Sequence, residues 1–96
     1  MHLRITKFTL KEGVPRSKFR ELVDLFTPLL RERKGFISIT YFGNDDTRQY
    51  GSMAIWETKN DVEEASSIIF PQVQERLVGI IDGAPSEELL DVIEPS

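Results

Sequence analysis

The segment from Phe36 to Trp56 constrains this chain's fold more than any other. Phe36 to Phe42 and Tyr50 to Trp56 are rich in β-branched and aromatic residues, which read as strands. Gly43-Asn44-Asp45-Asp46-Thr47 between them reads as the loop of a hairpin. Strict alternation places Ile37, Ile39 and Tyr41 opposite Gly51, Met53 and Ile55 on one face. The other face then carries Phe36, Ser38, Thr40 and Phe42 opposite Tyr50, Ser52, Ala54 and Trp56. Neither set suits water. The hairpin therefore belongs to a sheet whose two faces both need a cover.

The flanking segments supply one cover. Leu3 to Leu10 reads as a strand that alternates through Leu3 and Ile5 and slips phase at Phe8 and Leu10. Pro15 suits a first helical turn, and Phe19, Leu22, Val23, Phe26, Leu29 and Leu30 form one apolar stripe after it. Pro28 is expected to kink or break that helix, and Gly35 to stop it after the basic last turn of Arg31, Arg33 and Lys34. Thr58 with Asp61 three residues on resembles a capping box opening a second helix. Its stripe is Val62, Ala65, Ile69, Val73, Leu77 and Ile80, with Pro71 expected to split it. Gly79, Gly83 and Pro85 end it, and Leu89 to Ile93 reads as a closing strand. The order β-α-β-β-α-β is the ferredoxin-like motif, an α+β class with a four-stranded antiparallel sheet. Its two helices cover one side only. The uncovered side, the odd face with Ile37, Ile39, Tyr41, Met53 and Ile55, is expected to pack on a second copy, making a homodimer.

Composition narrows function by exclusion. With no cysteine and a single histidine, His2, the 96-residue chain offers neither a disulfide, a thiolate nucleophile nor an imidazole or sulfur metal cage. A net charge of −4 with mixed signs gives no basic stripe for phosphates, so nucleic acid is not an expected partner. No stretch approaches a membrane span, and the opening MHLRITKF is unlike a signal peptide, so a cytoplasmic protein without a membrane partner is expected. No cofactor is expected.

The even face has a texture of its own. Small residues (Ser38, Thr40, Ser52, Ala54) are ringed by Phe36, Phe42, Tyr50 and Trp56. Small side chains can let a helix pack closely, giving a solid core, or can floor a ligand cavity walled by aromatics.

The run Gly35-Phe36-Ile37-Ser38-Ile39-Thr40-Tyr41, then Ala54-Ile55-Trp56-Glu57-Thr58, then a helix with a proline break and a closing strand near Pro85, resembles the antibiotic biosynthesis monooxygenase family. The resemblance spans nearly the whole chain and implies one dimeric α+β barrel domain over residues 1–96. It also implies a cofactor-independent monooxygenase acting on a small aromatic or enolisable substrate. The substrate's carbanion passes an electron to dioxygen, while the protein stabilises the anion and excludes water. By motif, Trp56 and Arg76 match the family's Trp and Arg and become the catalytic candidates. Ser52 stands where the family has Asn, and Val62 where it has Tyr. The implied pocket is bounded by Phe36, Thr40, Ser52, Trp56, Val62 and Arg76. The haem-degrading relatives need a Trp and a His at positions that fall near Ala65 and Glu75 here, so haem is not expected. The alternatives are a non-catalytic small-ligand module and a purely structural dimer.

Overall fold

The computed structural model describes residues 1–94 and holds six elements. They are β1 (His2–Leu10), α1 (Ser17–Arg31), β2 (Phe36–Asn44), β3 (Gln49–Trp56), α2 (Lys59–Leu77) and β4 (Ile81–Asp91). The strands form one antiparallel sheet in the order β2-β3-β1-β4. This is the expected β-α-β-β-α-β ferredoxin-like arrangement, and both helices lie on one side of it.

Local chemistry explains the boundaries. Thr58 is the N-cap of α2, its hydroxyl accepting from the Asp61 amide at 3.1 Å. In the hairpin loop the Asn44 side chain accepts from the Asp46 and Thr47 amides, an Asx turn that reverses the chain. Gly35 leaves α1 at φ +80°, a left-handed conformation that disfavours any side chain.

Three expectations about boundaries are corrected. Pro28 does not break α1, and Pro71 does not split α2. Both rings are exposed and each costs only one backbone hydrogen bond. Beside them side chains engage the helix carbonyls: Thr27 Oγ1 donates to Val23 O at 2.6 Å, and Gln72 Nε2 to Ile68 O at 3.2 Å. The closing strand, expected from Leu89 to Ile93, begins at Ile81 and runs through Gly83 and Pro85. β4 is an edge strand, and its pairing with β1 shifts register between Lys7 and Thr9, a bulge that accommodates both residues.

The most consequential correction concerns sheet facing. The β2–β3 ladder shifts register between Phe36 and Ser38, leaving Ile37 unpaired and exposed. Past this bulge Ile39 pairs with Ala54 and Tyr41 with Ser52, so odd residues of β2 share a face with even residues of β3. Ile39 and Tyr41 thus lie under the helices, and Ser38, Thr40 and Phe42 on the outer face. β1 keeps its alternation throughout. Its apolar residues change sides instead: Leu3 and Ile5 point outward, Phe8 and Leu10 inward.

The inner face carries two separate cores. One gathers Phe8, Leu10, Tyr50, Leu77 and Ile81. The other gathers Ala54, Trp56, Val62 and Ala65, with Phe36, Ile39 and Leu30 against them. Leu10 and Leu77 are each 1% exposed, a burial worth about 1.5–3 kcal/mol apiece. The outer face presents Leu3, Ile5, Met53, Ile55, Phe42 and Leu90, the last two clearly exposed. Among the described residues no helix is long and apolar enough to cross a membrane.

Candidate functional site

Between the two cores lies a hollow of about 120 Å³, floored by the sheet and roofed by both helices. The register explains why it exists. Inward residues form rows across β1, β3 and β2: Arg4–Ala54–Ile39, then Thr6–Ser52–Tyr41. The rows on either side are bulky, His2–Trp56–Phe36 at one end and Phe8 with Tyr50 at the other. Small or polar floor residues between two bulky rows leave the space unfilled.

The wall at one end is Trp56, 2% exposed, with Phe36 edge-on to its ring at a centroid distance of 5.4 Å. Its indole Nε1–H is buried and has no hydrogen-bond partner among the described residues. Leaving such a donor unpaired costs about 1–3 kcal/mol.

Arg4 brings the one charged side chain of the lining among the described residues. Nη2 pairs with Glu87 Oε1 of β4 at 2.7 Å, and Nη1 donates to Ser66 Oγ on α2. The guanidinium also stands over the Phe70 ring, 5.2 Å from its centroid. These contacts tie sheet edge to helix and fix the cation beside the hollow. On the α1 side the Tyr41 hydroxyl is hydrogen-bonded to Thr27 Oγ1. Burial pushes the Tyr41 phenol above its ordinary value, opposed in part by the Thr27 hydrogen bond and by the Arg31 charge.

The expected site residues separate into three groups. Trp56 and Ser52 line the hollow. Phe36 and Val62 pack in the core behind Trp56 and do not line it. Thr40 and Arg76 are elsewhere. Thr40 is exposed on the outer face, because the bulge at Ile37 inverts β2 relative to strict alternation. Arg76 is exposed near the end of α2 and lines a different depression between the helices, with Phe26 and Glu75. Arg4, Thr6, Tyr41 and Ser66 also line the hollow, beyond the residues expected from the sequence. A signal for the first two was present: counting back by twos from the inward Phe8 and Leu10 places both inside. Among the described residues no group of three or more His, Asp or Glu side chains is close enough to hold a metal ion.

The chain's structural neighbours include antibiotic biosynthesis monooxygenase-like proteins. Rv0793 from Mycobacterium tuberculosis superposes with a TM-score of 0.84 at 14% identity, over 99% of this chain and 97% of that one. SnoaB, a cofactor-independent oxygenase from Streptomyces nogalater, gives 0.79 at 14% identity, covering 98% and 94%. An inferred antibiotic biosynthesis monooxygenase from Deinococcus radiodurans gives 0.82 at 9% identity, covering 100% and 96%. At these identities the likeness defines the fold. No protein-family model matches the sequence, and no curated protein sequence does.

Proposed function

We propose that the chain is a cofactor-independent monooxygenase for a small aromatic or enolisable substrate bound in this hollow. The observation that carries the reading is the buried Trp56 Nε1–H, without a partner among the described residues, in a side chain that walls a largely apolar hollow. The neighbouring fold of SnoaB, an oxygenase of this kind, supports it. The reaction balances without a cofactor: a substrate methylene and dioxygen give a carbonyl and water, the substrate supplying the electrons. Trp56 walls the ring and donates to its oxygen. Arg4 takes the role first expected of Arg76, stabilising the phenolate or enolate as it forms. Ser52 and Thr6 offer hydroxyls on the floor. Phe36 and Val62 act through Trp56, holding its ring.

We also propose that the protein works as a cytoplasmic homodimer, one barrel domain per chain, through the outer sheet face. That face is a strip of apolar side chains that the chain's own helices do not cover.

One observation favours a second reading, a non-catalytic ligand-binding module. Among the described residues no carboxylate or imidazole lines the hollow, so none of these side chains is suited to take a substrate proton at neutral pH. Oxygen uptake on a panel of phenols, quinols and anthrones, beside binding followed by the fluorescence of the single tryptophan, decides between them. Uptake that Arg4→Met and Trp56→Ala reduce supports the enzyme. Binding without uptake leaves the module.

A further inference from the structure

We infer that the ligand of this hollow is an uncharged, single-ring phenol or enol. The inference rests on the reading that the hollow is a ligand site and narrows what it takes.

Size comes first. About 120 Å³ is close to the roughly 150 Å³ of an apolar cavity that accepts benzene, and well below the roughly 300–1,000 Å³ of pockets for larger ligands. The ends cannot give cheaply. Trp56 at one end and Leu77 with Phe8 at the other belong to the two packed cores, and each is less than a tenth exposed. A fused three-ring molecule would have to leave most of its surface outside the hollow's open side or part the helices from the sheet.

Charge comes second. Among the described residues Arg4 is the only charged one in the lining, and Glu87 already neutralises it at 2.7 Å. A ligand carboxylate would have to displace Glu87 or sit beside it as a like charge. An uncharged ligand meets neither obstacle, and its oxygen can still gain negative character against the guanidinium during reaction.

The third argument is the hydrogen-bond complement. The wall residue Trp56 holds a buried donor, Nε1–H, without a partner among the described residues, and the floor residues Ser52 and Thr6 carry hydroxyls, which can accept. A single hydroxyl both accepts and donates, so a phenol satisfies wall and floor together. A bare hydrocarbon satisfies neither.

Calorimetric titration of the full chain with phenol, toluene, 4-hydroxybenzoate and 1,8-dihydroxyanthrone, on wild type and Trp56→Phe, tests the three arguments. Phenol is expected to bind, 4-hydroxybenzoate at least about tenfold more weakly, and the anthrone not detectably. The preference for phenol over toluene should fall about tenfold in Trp56→Phe, a ratio that cancels any general loosening of the variant. Anthrone binding as tightly as phenol overturns the size argument, and with oxygen uptake it leaves the proposed function standing. Tight 4-hydroxybenzoate binding overturns the charge argument, and an unchanged phenol-to-toluene ratio overturns the indole's role. Phenol binding, with no oxygen uptake from phenols or quinols, keeps the inference and overturns the monooxygenase. No binding by any compound overturns both.

Discussion

Ser52→Leu turns the hollow into a measurable quantity. Ser52 sits at the middle of the floor, between Thr6 and Tyr41, on a central strand where a larger apolar residue is tolerated. Leucine replaces the hydroxyl with three carbons, worth about 2 kcal/mol if the space receives them without strain. The expected result is a variant as stable as wild type or up to about 2 kcal/mol more so, a rise in Tm of several degrees. In a solid core the same change would overpack and cost about 1–3 kcal/mol, so the sign of the effect separates hollow from filled. Phenol affinity should fall at least a hundredfold in the same protein. Thermal unfolding and calorimetric titration read the two effects independently. A loss of more than about 1 kcal/mol means that the floor is already packed, and unchanged phenol affinity means that the ligand binds elsewhere.

Met53→Glu, on the outer face, is expected to give a folded monomer where wild type sediments as a dimer at micromolar concentration; a wild-type monomer refutes the dimer. Ile39→Asp should unfold the chain instead, because Ile39 packs beneath the helices against the Trp56 cluster. Gly35→Ala should cost at least about 2 kcal/mol, from the positive φ and from a new Cβ driven into the buried Asp61 carboxylate; a urea midpoint within error of wild type would contradict this. Both tyrosines should ionise above pH 10, Tyr41 chiefly through burial and Tyr50 chiefly through its hydrogen bond to Asp45. Their raised values mean that the folded state holds the phenolic protons more tightly. The stability this contributes is present below the ordinary value of about 10 and is lost as pH rises through the higher folded value. Tyrosinate absorbance and unfolding measured across that range check both.

Most of the fold was legible because it is written in signals that act locally. The capped start of α2, the Asx-turned hairpin loop and the two apolar stripes each need only a few neighbouring residues to specify them. The proline readings failed for the opposite reason. A proline's cost is fixed, about 3 kcal/mol inside a helix, but whether the helix survives depends on what the rest of its length buries. α1 and α2 bury enough on both sides of Pro28 and Pro71 to continue through them. Gly83 and Pro85 look like breakers in the sequence, and only the edge position of β4 lets the strand run through them.

The site was half legible, and a single residue divides the halves. Alternation along β3 needs no correction, so Ser52, Ala54 and Trp56 were placed on the right face from the sequence. Alternation along β2 holds only until Ile37, and nothing in Phe36-Ile37-Ser38 announces that Ile37 will drop out of the ladder. That one unpaired residue exchanges the partners of every position after it, sending Thr40 to the outer face and bringing Tyr41 under the helices. It also changes the chemistry of the hollow. Without the bulge the floor would meet Ser38 and Thr40, small and exchangeable. With it, the floor meets Ile39 and Tyr41, whose bulk contracts the space toward one ring and whose hydroxyl is held by Thr27. The cation follows the same logic of facing: Arg76 lies too far along α2 to reach this floor, whereas Arg4 is two residues from Thr6 on the same side of β1. A charge placed on a strand beneath the hollow is fixed by the sheet's register, and Glu87 and Ser66 fix it further. Such a cation can act on a forming anion without first reorganising, which is the condition under which electrostatic stabilisation is most effective.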